Sequence, residues 1–266
     1  MISIVAGYYN RKKLFYETLK SISRSTYKDI EFIAVDDASS QEQRIEEFQT
    51  EFPFLKVIRI EPQHKWYINP CIPFNIGLRE AKGDVIVLEN PECYHVHDIL
   101  TYVKDNIDDT KYITFSAYGI DSSTTTNLST LNQNNNVINI FNSFPQRVYI
   151  GGDYMGWYNH SKYRPVFYHF CSAITRKNME ILNGFDERYA HGFGYDDNEI
   201  LVRIYRMGLK ISIEDSLSVL HQYHTSSHWN GLNAARLVEV NRSLFTNVTI
   251  RESRITVNED KLWNGI

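Results

Sequence analysis

The sequence has few cysteines: three among 266 residues, with no Cys-x-x-Cys pair. Cys71, Cys93 and Cys171 therefore form neither a disulfide framework nor a zinc ribbon, and we expect free thiols in a reducing compartment. No apolar run reaches the roughly 18–20 residues of a membrane span. The first residues also lack the charged and long apolar regions of a signal peptide, so a cytoplasmic protein without a transmembrane segment is expected.

An excess of charge of one sign is also missing. The 28 Lys and Arg residues and 32 Asp and Glu residues give a net charge of −4, and the basic residues form no stripe, which disfavours nucleic acid as a partner. No Gly-x-Gly-x-x-Gly or P-loop motif follows an early apolar run, so ordinary dinucleotide and P-loop binding are excluded. Aromatic residues are frequent at 14%, which suits sugar stacking and half-buried core positions alike.

The first 120 residues alternate apolar runs with segments of helical periodicity. The predicted strands are residues 2–6, 30–35, 57–60, 85–88 and 112–115. Helices are expected after a cap at Asn10, after a capping box of Ser40 and Gln43, and at residues 73–81 and 96–103. Single helices between strands imply parallel pairing with right-handed crossovers. The sequence thus predicts an α/β fold, a Rossmann-like, mostly parallel sheet flanked by helices.

Polar residues follow three of the predicted strands. The first strand continues into Gly7-Tyr8-Tyr9-Asn10-Arg11, the second ends at Asp36-Asp37, and the fourth ends at Glu89-Asn90-Pro91-Glu92. Ligands of such sheets bind beyond the carboxyl ends of the strands, so these residues should converge on one crevice. The alternative for the two aspartates is a plain turn after a strand.

The second half contains an acidic helix start. Gly192-Phe193-Gly194 precedes Asp196, Asp197, Asn198 and Glu199, after which apolar residues recur at helical spacing. A helix N-terminus tolerates negative charge because its N–H groups are free and the macrodipole is favourable. N-capping alone would explain the acids, but the two glycines suit a carboxylate presented at the rim of a pocket.

A single domain spanning residues 1–266 is predicted. Residues 1–120 form its sheet-bearing half, and residues 122–136 are polar and low in complexity, so 121–145 is expected to be a flexible connection. Residues 146–230 form the second half, with predicted short strands at 209–213 and 217–220. Residues 231–266 are a helical extension that Asn230 could cap.

Taken together and in their order along the chain, several motifs resemble those of the family-2-type glycosyltransferases of the GT-A fold. The resemblance covers roughly residues 2–224. The matching pieces are residues 5–11, Val35-Asp36-Asp37-Ala38-Ser39, Asn75-Ile76-Gly77 with Ala81-Lys82-Gly83-Asp84, residues 183–187 and residues 196–203. The second half also resembles a galactosyltransferase-type C-terminal segment, which would form the acceptor-binding half. The resemblance implies a transferase that takes a sugar from a nucleotide-sugar donor, most often a UDP-sugar, to a hydroxyl of a glycan or another acceptor.

The resemblance also implies roles for individual residues. The nucleotide would bind at Gly7, Tyr8, Tyr9, Arg11, Asp36, Asp37 and Asn75. Inverting members carry Asp at the position of Asp197, as this chain does, so Asp197 is the implied general base of an inverting reaction, tuned by Asp196. Trp157, Tyr163 and Trp229 are candidates for stacking on acceptor sugars, although Trp157 is equally suited to a core position.

The metal motif departs from the family pattern. Asn90-Pro91-Glu92 stands where the family has Asp-x-Asp, so the implied Mn²⁺ or Mg²⁺ would bind Glu92 and His221, with Asn90 and His224 as weaker candidates. A zinc hydrolase using His221, His224 and His228 is disfavoured, because no His-Glu-x-x-His motif supplies a base.

Two other functions stay open. The degenerate metal motif favours a sugar-nucleotide- or glycan-binding pseudoenzyme, and the intact Asp196-Asp197 disfavours it. A nucleotidyltransferase ranks lower, because the loop after the first strand holds a single glycine.

Overall fold

The computed structural model describes residues 1–133, 137–147, 155–225 and 232–261. These residues contain nine strands: β1 (Ile2–Tyr8), β2 (Ile30–Asp37), β3 (Leu55–Ile60), β4 (Val85–Glu89), β5 (Cys93–His95), β6 (Lys111–Gly119), β7 (Gly156–Asn159), β8 (Cys171–Thr175) and β9 (Lys210–His221). The same residues contain eight α-helices: α1 (Lys12–Ser23), α2 (Cys71–Glu80), α3 (Ile99–Asn106), α4 (Ser122–Gln133), α5 (Val137–Ser143), α6 (Arg176–Leu182), α7 (Asp196–Arg206) and α8 (Leu232–Leu244). Among the described residues, no helix has both the length and the hydrophobicity needed to cross a bilayer.

The strands form one sheet in the order β3-β2-β1-β4-β8-β6-β9-β5, with β7 paired to β6. Strands β1 to β4 pair in parallel, as predicted, and each is slightly longer than its apolar run. The predicted sheet flanked by helices is confirmed, but its second half is mixed. Strand β8 runs antiparallel between β4 and β6, which brings the start of β8 to the edge where β4 ends.

The apolar core lies on both faces of this sheet. Alternate residues of a strand point to opposite faces, so Ile4 and Ala6 of β1 belong to one cluster and Val5 to the other. Helix α1 covers the first face with Phe15, while α2, α6 and α7 cover the second. The predicted strands at 209–213 and 217–220 form one long strand, β9.

Two predicted helix caps are wrong. Asn10 has a left-handed backbone (φ 49°), and its side chain accepts a hydrogen bond from Ser40 N at 2.9 Å, so it ties the end of β1 to the end of β2. Ser40 starts only a short 3₁₀ turn and makes no side-chain cap. Gln43 instead accepts from the first N–H of α1, that of Lys12, at 3.1 Å.

The segment predicted to be a flexible connection is helical where the structure describes it. Residues 122–133 and 137–143 form α4 and α5, and Asp121 accepts from Thr124 N at 2.7 Å at the start of α4. Leu128 and Val137 are buried in an aromatic cluster around Tyr118. Burial of these few apolar residues outweighs the weak helix propensity of the Ser, Thr and Asn around them.

Candidate active site

A cavity of about 690 Å³ opens at the carboxyl ends of β1, β2 and β4, and the start of α7 and the end of β9 complete its lining. Eleven of the residues singled out in the sequence line it: Gly7, Tyr8, Tyr9, Arg11, Asp37, Asn90, Glu92, Asp196, Asp197, His221 and His224. The two halves of the predicted site therefore share one cavity.

One wall of the cavity carries a cationic cluster, which consists of Arg11, Glu92, His221 and His224. Arg11 Nη1 lies 2.7 Å from Glu92 Oε2, and the Nε2 atoms of His221 and His224 lie 3.1 and 3.3 Å from Glu92 Oε1. Arg11 Nη2 also lies 3.3 Å from His224 Nδ1. A single buried carboxylate thus faces three basic side chains.

Strand pairing brings this cluster together. Strand β5 follows Glu92 directly and pairs antiparallel with the end of β9, where Cys93 lies opposite His221. Gln222, the residue after the end of β9, donates its backbone N–H to Glu92 O at 3.1 Å. Arg11 arrives from the loop between β1 and α1.

The basic residues control the ionisation of the cluster. Burial alone would raise the pKa of Glu92, but the charge of Arg11 and the hydrogen bonds from His221 and His224 hold that pKa well below its usual range. Burial lowers the pKa of His221 in spite of the nearby Glu92. The cluster therefore pairs an ionised carboxylate with the positive charge of Arg11.

The cationic cluster has a donor set that fits a divalent cation. The ligand atoms of Glu92, His221 and His224 lie within 4.8 Å of one another. Imidazole nitrogens combined with a carboxylate oxygen suit Mn²⁺ better than Mg²⁺, which prefers an oxygen octahedron. Because Arg11 holds the second oxygen of Glu92, a bound cation would share this carboxylate with the guanidinium.

The adjacent residues Asp36 and Asp37 have different surroundings. Asp37 lines the cavity and is held by Lys65 Nζ at 2.7 Å and by the Tyr67 hydroxyl at 2.6 Å. Asp36 is fully buried and pairs with Arg59 Nη1 at 2.9 Å. Consecutive side chains of a strand alternate between faces, so the structure places only Asp37 where a nucleotide could reach it.

A second part of the cavity carries an acidic cluster, which consists of Asn69, His169, Asp196 and Asp197. His169 Nδ1 lies 2.5 Å from Asp197 Oδ1, and Asn69 Nδ2 donates to Asp196 Oδ1 at 3.0 Å. Asp196 is only 6% exposed, whereas the side chain of Asp197 is 30% exposed. Asp197 is therefore the carboxylate that a substrate can contact.

Burial and mutual charge set the ionisation of this cluster. Burial, together with the negative charge of Asp197, raises the pKa of Asp196 to about 6. Burial would lower the pKa of His169, but the charge and hydrogen bond of Asp197 outweigh it and raise that pKa. The donor atoms of the three titratable residues also lie within 4.8 Å of one another, and His169 Nδ1 and Asp197 Oδ1 form a close ion-pair contact within this group.

The glycines before α7 are required by the local backbone. Gly194 (φ +65°) and Tyr195 (φ 65°) are both left-handed, which turns the chain sharply into the helix. A Cβ on Gly192 would lie 2.3 Å from Asn241 Oδ1. Asn241, from α8, donates to Gly194 O at 2.8 Å, so the C-terminal helix holds the loop that presents Asp196 and Asp197.

Several predicted residues do not line the cavity. Asn75 is buried and exchanges hydrogen bonds with the backbone of Phe185 at 2.8 and 2.7 Å, so it joins α2 to the second half. Trp157 is 3% exposed and stacks on Tyr163 with ring centroids 6.1 Å apart, which makes a core role the better explanation of its position. Trp229, like His228 and Asn230, lies outside the described residues.

Sequence reasoning missed the residues that hold the predicted aspartates in place. They are Lys65, Tyr67, Asn69 and His169. The first three lie in an irregular segment between β3 and α2, which has no periodicity to read. His169 precedes β8, and its place at the cavity follows from the antiparallel direction of that strand.

Comparison with known proteins links the chain to sugar transfer. Residues 3–179 match the model of glycosyl transferase family 2, and residues 156–228 match a model described as the N-terminal domain of galactosyltransferase. A chondroitin synthase of Escherichia coli is 28% identical over 250 residues, which are 83% of this chain and 34% of that protein. An uncharacterized glycosyltransferase of Haemophilus influenzae is 33% identical over 95 residues, or 35% of this chain and 30% of that protein. The chain thus spans about a third of the length of these curated relatives.

Solved structures with the same fold include two that hold nucleotide sugars. S. aureus TarS 1-349 in complex with UDP-GlcNAc has a TM-score of 0.60 and 16% identity, covering 91% of this chain and 66% of that one. The mannosyltransferase PcManGT from Pyrobaculum calidifontis, in complex with GDP-Man and Mn²⁺, has a TM-score of 0.58 and 17% identity, covering 95% of this chain and 65% of that one. At such identities the likeness shows the fold alone.

Proposed function

The chain belongs to glycosyl transferase family 2, and we propose that it transfers a sugar from a nucleotide-sugar donor to an acceptor hydroxyl with inversion at the anomeric carbon. The observation that carries this proposal is the meeting of two chemically different clusters in one cavity. A cationic cluster suits a diphosphate leaving group, and an acidic cluster in the same cavity suits removal of a proton. The family membership and the GT-A fold agree with the resemblance found in the sequence.

The nucleoside part of the donor would bind at the ends of β1 and β2. Asp37 is pre-oriented by Lys65 and Tyr67, and Lys65 Nζ also lies 4.7 Å from the centre of the Tyr9 ring. A carboxylate held in this way can accept hydrogen bonds from ribose hydroxyls or a base N–H. UDP is the proposed nucleotide, since TarS was solved with UDP and with UDP-GlcNAc.

The diphosphate would lie against the cationic cluster. Arg11 Nη1 and Nη2 can each donate to phosphate oxygens, and this positive charge is already in place before charge develops on the leaving group. Glu92 and His221, with His224 beside them, would hold Mn²⁺ or Mg²⁺. When bound, such a cation would add Lewis-acid neutralisation of the diphosphate.

Asp197 would remove the proton of the acceptor hydroxyl. Its exposed carboxylate lines the same cavity as Glu92 and Asp37, and a general base must lie within hydrogen-bond reach of the proton it takes. The attacking oxygen forms the new glycosidic bond, the bond to the diphosphate breaks with its electron pair on the phosphate, and the proton goes to Asp197. Attack on the face opposite the leaving group gives inversion.

The acceptor and the cell compartment are proposed in less detail. A hydroxyl of a glycan is the proposed acceptor, because the matched part of the E. coli relative belongs to a chondroitin synthase. Contacts of the acceptor with Trp157, Tyr163 and Trp229 and a cytoplasmic location stay predictions from the sequence.

A donor screen tests the proposal. Thermal unfolding is measured with UDP-, GDP- and dTDP-sugars, each with and without Mn²⁺, because a ligand that binds the folded state raises the melting temperature. The donor that stabilises the protein is then incubated with glycan acceptors, and the anomeric configuration of the product is read by NMR. A product of inverted configuration supports the proposal. Tight donor binding without transfer or hydrolysis would instead indicate a binding pseudoenzyme, and a retained configuration would remove the single-displacement mechanism.

A further inference from the structure

His169 is bound to one oxygen of Asp197 by two separate groups. Its Nδ1 lies 2.5 Å from Asp197 Oδ1, and its backbone N–H donates to the same oxygen at 3.2 Å. The residue lies in a turn two positions before the start of β8, whose antiparallel pairing with β4 fixes the direction of the chain there. Both contacts therefore come from a turn that is anchored to the sheet.

The imidazole ring is itself held in place by aromatic side chains. The rings of Phe74 and Phe185 both lie 5.0 Å from the His169 ring, at interplanar angles of 87° and 63°. His169 is only 5% exposed. Such packing leaves the ring few alternative orientations, so its Nδ1 stays close to the carboxylate.

We propose that His169 is a positioning residue, which fixes Asp197 by Oδ1 so that Oδ2 is free to face the acceptor hydroxyl, and which places a positive charge beside the Asp196–Asp197 pair. This role rests on the proposed function of Asp197 as the general base. The imidazole keeps its own proton throughout, and the acceptor proton stays on Asp197 until solvent takes it.

The charges around His169 support this role. The titratable groups that face it are Asp197 and Asp196, and the thiol of Cys71 faces Asp196 in turn. Two carboxylates in a largely buried site resist ionising together, as the raised pKa of Asp196 near 6 shows. A cation at His169 offsets that repulsion and keeps the exposed carboxylate available as a base at neutral pH.

Two substitutions separate position from charge. In His169→Asn the amide nitrogen can occupy nearly the place of Nδ1, which keeps a neutral donor for Asp197 but removes the positive charge. His169→Leu fills much of the volume and has no donor. The matched control is His160→Asn, which removes a histidine that faces Asp215 at 3.7 Å and does not line the cavity.

The experiment measures kcat, KM for donor and acceptor, and the pH dependence of kcat/KM, with thermal unfolding as a check on folding. His169→Leu should lower kcat about 100-fold with donor KM unchanged, because a small misplacement of a catalytic group has a cost of this size. At high pH, His169→Asn should have most of the wild-type kcat. In its pH profile, the fall of kcat/KM at low pH (the acid limb) should lie at higher pH than in the wild type. His160→Asn should match the wild type in all of these measurements.

The outcomes are separable. If the wild type transfers sugar and both His169 variants keep its kcat and acid limb, the positioning role is wrong while the proposed function stands. A loss of kcat that is equal in the Asn and Leu variants, with no change of pH profile, would make His169 a purely structural residue. If the wild type neither transfers nor hydrolyses any donor, the proposed function fails, and the role of His169 fails with it.

Discussion

The cationic and acidic clusters use the same kinds of side chain in opposite proportion. One carboxylate faces an arginine and two histidines in the first, whereas two carboxylates face one histidine in the second. The pKa of Glu92 is consequently held well below its usual range, while that of Asp196 is raised to about 6. The ratio of acids to bases, more than the residue types, therefore separates the proposed site for an anionic leaving group from the proposed site that accepts a proton.

The two clusters also differ in how the backbone builds them. The cationic cluster depends on long-range strand pairing between β5 and β9. The two carboxylates of the acidic cluster are presented by a local turn, Gly194-Tyr195, followed by a helix N-terminus, while their partners Asn69 and His169 come from other parts of the chain. Substitutions that change one cluster without the other can therefore test whether the two have separate roles.

The largest effect is expected for Asp197→Asn. The amide keeps the shape of the side chain and cannot take a proton, so transfer should fall about 1000-fold, in the range measured for loss of a general base. Donor affinity, measured by calorimetry, should be unchanged because the proposed donor contacts are made by Asp37 and the cationic cluster and not by Asp197. Asp215→Asn is the matched control, since Asp215 also faces a histidine but does not line the cavity. Full activity of Asp197→Asn would remove this residue from the base role.

Glu92→Gln should have the next largest effect. Loss of the carboxylate should weaken Mn²⁺ binding by about 100-fold, because a charged oxygen ligand is lost from a set of three. Affinity for the nucleotide diphosphate should fall together with it when Mn²⁺ is present. Without Mn²⁺ it should not fall, since Arg11 is then released from its ion pair. Unchanged metal dependence in this variant would contradict the assignment of Glu92.

Arg11→Met should give the opposite pattern with a smaller amplitude. Removing the guanidinium frees Glu92 Oε2, so Mn²⁺ should bind about tenfold more tightly, since a neighbouring positive charge no longer opposes it. Metal-free diphosphate affinity should fall because the donors of Arg11 are lost. If both variants change metal affinity in the same direction, Arg11 and a cation do not compete for Glu92.

The strand ends and the acidic helix start could be predicted because their signals are local. A short apolar run followed by Asp37 or by Glu92 indicates a loop beyond a strand, whichever strands are its neighbours. The sequence could not show which of Asp36 and Asp37 faces the cavity, because a one-residue shift of the strand register moves each side chain to the other face of the sheet. Only the register in the structure shows that Asp36 pairs with Arg59 inside the protein.

The supporting residues could not be predicted because they depend on tertiary topology. His169 reaches Asp197 only because β8 runs antiparallel to β4, and alternation of strands and helices gave no hint of this reversal. Helices α4 and α5 were missed for a related reason. Their polar composition predicts an irregular loop, and burial of Leu128 and Val137 against the aromatic cluster outweighs it.

The smallest effect, a change in stability, is expected for Asp196→Asn. The pKa of Asp196 in the folded state, about 6, lies above the 3.8 of an ordinary aspartate. Its favourable contribution is thus complete below about pH 4 and is lost as the pH rises through 6. Above that pH, ionisation of this buried carboxyl lowers the free energy of unfolding by on the order of 3 kcal/mol, which the neutral amide avoids.

Thermal unfolding of Asp196→Asn and the wild type at pH 4 and pH 8 measures this difference. The variant should melt a few degrees higher than the wild type at pH 8, and the two should be nearly equal at pH 4. The amide oxygen can still accept from Asn69, so no hydrogen bond needs to be lost. A variant that is less stable at both pH values would show that Asp196 is stabilised by its partners in its ionised form. The carboxylates of the acidic cluster would then be stabilised in their ionised form by their partners, as Glu92 is in the cationic cluster, and the contrast between the two clusters would disappear.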